Sequence, residues 1–339
     1  MVFDRAFSQL CGARGYIGMT WPKKYGGGER SPLERFVVIE ELLAAGAPVG
    51  AHWVGDRQSG PQILRHGSEE LREQVLPLVT RGDITFAIGM SEPDAGSDLA
   101  NIRSRADKVE GGWRLNGRKI WTTNGHRADY MIGLFRTDPR AEGARHAGMT
   151  QFVVPLAQEG ITRRPIRDLL GEEDFAEITF DDVFLPDRYV LGQPGEGWAL
   201  VTAELAYERG GPERFLSVFP LFAETLAAGA ASGQVAERII GRLVTHLVSL
   251  REMSMSIAGQ LAKGDLPSLE AAVVKDLGNA LEREMPELLR LAGMAAPMRG
   301  ADELRRMLAE AIMAAPSFTL RGGTPEVLRG IIARGMGLR

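Results

Sequence analysis

The apolar positions fall into three successive patterns along the chain. Through about residue 80 they recur at helical spacing. Leu33, Phe36, Val37, Leu42 and Leu43 follow Ser31-Pro32-Leu33-Glu34, which has the form of a capping box with proline at the first helical position. Gly46 suits the stop of that helix. A further helix is expected from Ser68 to about Val79. Between 83 and 190 the period shortens. Ile102 to Val109 alternates, Gly111-Gly112 turns the chain, Trp113 to Leu115 resumes, and Asn116-Gly117 is a hairpin-type dipeptide. Tyr130–Phe135, Gln151–Val154 and Glu177–Phe184 are further strand candidates. Short strands with frequent turn signals predict a small antiparallel barrel or sandwich. From Gly197 onward the helical period returns. Val235, Ile239, Ile240, Leu243, Val244, Leu247 and Val248 make an amphipathic stripe. Another helix begins near Ser268, and Pro286 kinks or ends it. Ala301–Ala314 and Thr324–Arg334 give two more. No internal repeat interrupts this order.

Composition narrows the function classes. The 339 residues can bury a large core in more than one unit, and 44% hydrophobic with 25% charged residues is ordinary for a water-soluble chain. A net charge of −4 argues against a general nucleic-acid binder. No apolar run is long enough to span a bilayer, and a basic-then-apolar leader pattern is absent from the first residues. With a single cysteine, Cys11, no internal disulfide can form. A cytoplasmic enzyme without membrane or nucleic-acid partners is the expectation. His66, His126 and His246 have no metal-ligand spacing, so no metal site is expected.

Two segments carry candidate chemistry. Met90-Ser91-Glu92-Pro93-Asp94-Ala95-Gly96-Ser97-Asp98 is rich in turn formers and hydroxyls, and as composition alone it reads equally as a surface loop. Trp121-Thr122-Thr123-Asn124-Gly125 sits at the end of an expected strand, where such residues are commonly core. In this order, with a hairpin between them, they resemble the flavin-contacting segments of acyl-CoA dehydrogenases. The succession of helical, β and helical zones is also similar, over nearly the whole chain. Trp21-Pro22 followed by Gly26-Gly27-Gly28 resembles a turn in that family's N-terminal domain. The resemblance implies an α+β fold: an N-terminal helical domain over 1–82, a middle antiparallel β-barrel domain over 83–192 and a C-terminal four-helix bundle over 193–339. It implies FAD as cofactor and an acyl-CoA thioester as substrate. Met90, Ser91 and Ser97 would contact the flavin pyrimidine edge and the FAD phosphates. Trp121 would pack on the flavin, and Thr123 would hydrogen-bond near N5. Thr324 and Glu326 would contact FAD at the start of the last helix, where exposed N–H groups suit a pyrophosphate. Gly192-Gln193-Pro194-Gly195-Glu196-Gly197 has no βαβ context and reads as the turn into the next helix rather than a dinucleotide fingerprint.

Dehydrogenation of an acyl-CoA needs one carboxylate over the α-carbon, raised in pKa by desolvation. Many members of the family supply it from a Tyr-Glu-Gly-Thr segment near the C-terminus. This chain reads Leu320-Arg321-Gly322-Gly323-Thr324, with Gly322 in that place. Others place a Glu-Arg pair on a bundle helix, and Glu208-Arg209 matches this second arrangement. The resemblance therefore implies Glu208 as base, with Arg209 orienting groups around it. An exposed helical Glu-Arg pair is the bland alternative. An electron-transferring flavoprotein or similar acceptor would reoxidise the cofactor.

Three departures from the family bear on assembly. The Trp-Pro turn comes as early as residue 21, so the N-terminal domain is expected to be shortened. Residues 226–245 lack an Arg-x-x-Phe-Gly segment, and Leu291-Ala292-Gly293-Met294-Ala295-Ala296 matches poorly a Gly-Gly loop that serves a neighbouring subunit's FAD. A homo- or hetero-oligomer with a related subunit is expected. The alternatives are a non-catalytic or half-site subunit of a mixed pair, and a flavin oxidase of the same fold. The mixed pairs of steroid and fatty-acid catabolism have a similar C-terminal pattern, and the acyl group itself stays open.

Overall fold

In the computed structural model the described residues are 2–139, 143–294, 302–320 and 322–338. The side chains of 204–208 and of 294 lie outside the description. The chain divides into two compact units. One contains Met1–Arg30 with Pro48–Leu205, and the other Ser31–Ala47 with Ala206–Arg339. Early helices are α1 (Arg5–Ala13), α2 (Pro32–Ala44), α3 (Gly60–His66) and α4 (Glu69–Thr80). Of these, α2 belongs to the second unit, so the helical segment expected over 1–82 is shared between the two.

The expected helix starts are present. Ser31 Oγ accepts from the Glu34 amide, and the Glu34 carboxylate accepts from the Ser31 amide, closing the capping box. Ser68 Oγ caps α4 by accepting from the Leu71 amide. Trp21 is buried, and two glycines make room for it. A Cβ on Gly27 would lie 2.2 Å from the Trp21 carbonyl, and one on Gly60 2.1 Å from its ring.

The first unit is built on one sheet of eight strands: β1 (Phe86–Gly89), β2 (Arg105–Val109), β3 (Gly112–Thr123), β4 (Tyr130–Arg136), β5 (Met149–Pro155), β6 (Ile161–Ile166), β7 (Phe175–Pro186) and β8 (Val190–Leu191). The order is β6-β7-β3-β2-β4-β5-β8, with β1 alongside β4. Most neighbours are antiparallel. The β1–β4 and β2–β4 pairings are parallel, which alternation along single strands cannot reveal. Phe135 packs edge-on against Phe152 and Phe180 at 6.0 and 5.2 Å between ring centres, and all three are buried.

One turn expectation is corrected. Gly111, with φ +71°, turns the chain between β2 and β3, but Asn116-Gly117 lies within β3, at an irregularity in its pairing with β7. Pairing of Lys108 with Trp113 and of Arg105 with Asn116 leaves no second turn to make. Gly117 has φ +139°, and a Cβ there would fall 2.3 Å from Ser104 Oγ. The glycine thus serves close strand approach rather than reversal.

The second unit is helical. It takes the end of α5 (Gly197–Arg209), then α6 (Phe219–Ala227), α7 (Gln234–Ala262), α8 (Ser268–Leu289), α9 (Asp302–Ala314) and α10 (Pro325–Gly335). Helix α7 packs on α8 and α2, α8 on α10, and α6 on α9. The buried face of α7 is Leu243, Leu247, Leu250, Ser254 and Ile257, and that of α8 includes Ala271, Val274, Gly278, Leu281 and Met285. The expected α7 stripe was drawn too wide. Val235, Val244 and Val248 are exposed, because a helix pair covers only a narrow seam of each partner. Arg251 joins α7 to α2 through a two-pronged bond to Glu40 at 2.7 and 3.0 Å. Pro286 lies within α8 close to its end, without stopping it.

Candidate functional site

The candidate residues fall into one group in each unit. In the first, β1 delivers Met90 and Ser91, and β3 delivers Trp121 and Thr123. The two segments are bonded side by side: the Ile120 amide donates to the Ser91 carbonyl at 2.9 Å. After Ser91 the chain makes a tight turn in which Glu92 and Ala95 exchange backbone bonds, and Ser97 follows on the exposed side. Asp98 pairs with Arg145.

A bulge decides how Trp121 is presented. Lys119 pairs with Ile178 and Thr122 with Ala176, so Ile120 and Trp121 together oppose one residue of β7. Trp121 takes the left-handed conformation, φ +58°, which costs a residue with a Cβ about 1–2 kcal/mol. The result is an indole left 58% exposed, edge-on to Phe175 at 6.0 Å, beside exposed Thr123. Regular pleating would put Trp121 on the same face as the buried Lys119 two residues before it; the bulge interrupts that alternation. Backbone strain that displays a large aromatic is a mark of a functional position. Asn124, also left-handed at φ +53°, closes the strand by donating its amide to the Asp174 carbonyl at 2.8 Å.

Beneath this strand end lies a buried ion pair that the motifs did not announce. Lys119 Nζ donates to Glu92 Oε1 at 2.8 Å and to the Met90 carbonyl at 3.2 Å, and it sits 5.2 Å from the centre of the Phe135 ring. Glu92 also accepts from the amides of Arg103 and Ser104 at 2.6 and 3.0 Å. The side chains are 0% and 7% exposed. Burial pulls Lys119 down to about 8 against the opposing pull of Glu92. Burial would raise Glu92, but the Lys119 ammonium and the bonded donors outweigh it and hold the carboxyl below its ordinary range. The signal available in the sequence was a lysine among the inward positions of a strand, which composition does not distinguish from a solvated charge.

In the second unit, Glu208 lies in the last turn of α5, and its side chain is outside the described residues. Arg209 is buried, and its Nε donates to the Gly322 carbonyl at 3.1 Å. Gly322 and Gly323 have φ of +72° and +107°, so this arginine clamps a turn that glycine makes easy. Thr324 follows as the N-cap of α10, its Oγ1 accepting from the Val327 amide at 3.4 Å. Glu326, exposed in the first turn, is held below the ordinary carboxylate range by its own amide and the Thr324 hydroxyl. The poorly matching loop expected near 291–300 lies outside the described residues from 295 on. Among the described residues no cluster of three or more His, Cys, Asp or Glu is placed to hold a metal, and no helix is long and apolar enough to cross a membrane.

The hydroxyls and amides of Ser91, Ser97 and Thr123 beside a displayed indole would suit the polar edge and ring face of a flavin. Family models match in succession: the acyl-CoA dehydrogenase N-terminal domain over 1–83, the middle domain over 87–183 and the C-terminal domain over 215–337. The chain is 35% identical over 274 residues to acyl-CoA dehydrogenase FadE34 of Mycobacterium tuberculosis, covering 81% of this chain but only 34% of that protein. It is 31% identical over 353 residues to acyl-CoA dehydrogenase FadE26 of the same organism, covering 98% and 86%. The fold superposes on a chain of the ChsE4-ChsE5 complex from M. tuberculosis with a TM-score of 0.86 at 29% identity, over 99% of this chain and 90% of that one. Three consecutive domain matches, near full-length likeness and a common fold place this chain in the acyl-CoA dehydrogenase family.

Proposed function

We propose that this chain is an FAD-dependent dehydrogenase that removes hydrogen from the α and β carbons of an acyl-CoA thioester. The observation that carries the reading is the paired arrangement of Met90-Ser91 and Trp121-Thr123 on bonded neighbouring segments. Met90 and Ser91 would hold the pyrimidine edge of the flavin, Ser97 the phosphates, Trp121 the ring face and Thr123 the region near N5. Thr324 and Glu326 are proposed to contact the cofactor at the start of α10. FAD, when bound, supplies the acceptor for the β-hydride. Glu208 takes the α-proton, and its place in the last turn of α5 follows the family's helix-borne Glu-Arg arrangement. The buried link from Arg209 to Gly322 makes Arg209 a support for this region rather than a surface ion pair. An electron-transferring flavoprotein or a similar acceptor would reoxidise the flavin. Glu208→Gln tests the base: loss of at least about 100-fold in turnover with FAD still bound supports it, in line with the usual worth of general base catalysis. Unchanged turnover of an accepted acyl-CoA refutes it.

A second reading is a half-site subunit that completes another dehydrogenase-like chain. It is favoured by the missing Arg-x-x-Phe-Gly segment and by likeness to a protein solved as the ChsE4-ChsE5 complex. It predicts little flavin on the purified chain and activity only with a related partner.

A further inference from the structure

The pair beneath the strand end has no role in the proton or hydride transfers. Yet three successive residues of the flavin loop are tied to two successive residues of β3. Lys119 Nζ holds the Met90 carbonyl, the Ile120 amide holds the Ser91 carbonyl, and Lys119 Nζ again holds the Glu92 carboxylate. Glu92 carries the tie onward to the amides of Arg103 and Ser104, so the loop is fixed from both sides. Lys119 stands two positions before Trp121, next to the bulge that displays it. Exposed pairs such as Arg105–Asp107 exchange partners with water at little cost, whereas this one is closed off from solvent.

We propose that Glu92 and Lys119 are positioning residues for the flavin, fixing the Met90–Ser91 backbone against Trp121–Thr123 and keeping the buried layer behind these segments electrically neutral. The inference rests on the FAD reading above. Loss of either member removes the brace, and loss of the lysine also leaves an uncompensated charge in a low-dielectric region. Lys119→Met leaves the Glu92 carboxylate, held by the Arg103 and Ser104 amides, which disfavours the electron-rich reduced flavin. Glu92→Gln removes the carboxylate that holds the Lys119 proton, so burial drives that amine neutral and little charge is left. A brace alone would weaken FAD binding in both variants without setting the potential of Lys119→Met below that of Glu92→Gln.

The test uses the full chain reconstituted with FAD. FAD affinity is read by absorbance titration and the flavin midpoint potential by dye-coupled equilibrium reduction, in wild type, Lys119→Met, Glu92→Gln and the double variant. The expected result is FAD binding weakened about tenfold or more in each single variant. The ratio of oxidised to reduced FAD affinity moves about tenfold up in Lys119→Met, about 30 mV for a two-electron couple, and stays near the wild-type value in Glu92→Gln. The neutral double variant returns toward the wild-type potential and keeps circular dichroism of the native chain. A Lys119→Met potential equal to that of wild type or of Glu92→Gln overturns the proposal while the FAD reading stands. A wild-type chain that takes up no FAD overturns both.

Discussion

The left-handed backbone at Trp121 makes a prediction whose sign is opposite to that at an ordinary strand position. Consider Trp121→Ala and Trp121→Gly. Both lose the indole and its contact with Phe175, so that loss cancels in their difference. What remains is the backbone. Alanine at φ +58° carries a left-handed penalty of about 1–2 kcal/mol, which glycine escapes. Glycine loses about 0.5–1 kcal/mol more chain entropy on folding. The balance leaves Trp121→Gly more stable than Trp121→Ala by about 0.7 kcal/mol. Thr123, two residues on and exposed, is not left-handed and supplies the control. There the glycine variant should be less stable than the alanine variant by about 0.5–1 kcal/mol. The difference between the two positions is therefore about 1.5 kcal/mol, or several degrees in melting temperature for a unit of this size. Urea titration followed by circular dichroism measures it. If glycine is the worse residue at both positions, the strained bulge does not hold Trp121 in place. FAD titration of the same variants should show Trp121→Gly binding FAD more weakly than wild type despite its relieved backbone.

Further predictions follow from other parts of the structure. Gly117→Ala should destabilise the first unit by about 2 kcal/mol or more, because the added methyl meets Ser104 at 2.3 Å on a backbone with φ +139°; a urea midpoint equal to wild type would refute the close approach. Arg209→Ala should lower stability by about 1.5–3 kcal/mol, as loss of a buried charged hydrogen bond does; a cost below about 0.5 kcal/mol would mark it as a surface pair. Lys119 titrates near 8 in the folded chain and at 10.5 when unfolded, so across this window the unfolded chain binds more protons and stability rises with pH, by up to about 1.4 kcal/mol per unit from this group. Chemical denaturation of wild type and Lys119→Met between pH 7.5 and 10 checks this; the variant should lack that part of the slope, and equal slopes would contradict it.

Much of this was legible in residue order, for reasons that differ by element. Capping at Ser31 is local chemistry, complete within four residues, and it formed as read; the helix expected from Ser68 starts there, with Ser68 as its cap. The positions of β2, β3, β4, β5 and β7 were readable, but the short or exposed β1, β6 and β8 were not, and neither were the parallel neighbours of β4, since pairing partners are chosen over long sequence separations. Asn116-Gly117 has hairpin composition, yet the register of β3 with β2 placed the turn at Gly111 and used the glycine for clearance. The α7 stripe at Val235, Val244 and Val248 looked like core because periodicity reports an apolar face without its width. At the site, the hydroxyl-bearing loop and the Trp-Thr segment were readable as motifs. The bulge under Trp121, the Lys119–Glu92 brace and the Arg209 clamp on Gly322 were not. Each depends on a contact between residues distant in sequence or on one backbone angle.

The most direct test of the account is a visible absorption spectrum of the purified chain after incubation with FAD and removal of the excess, followed by anaerobic addition of acyl-CoA thioesters of increasing bulk. The account predicts a flavin band close to one FAD per chain that is bleached by at least one acyl-CoA, and that Glu208→Gln keeps the band but loses the bleaching. A chain that retains no flavin on its own, or a flavin band that no acyl-CoA bleaches, would contradict it.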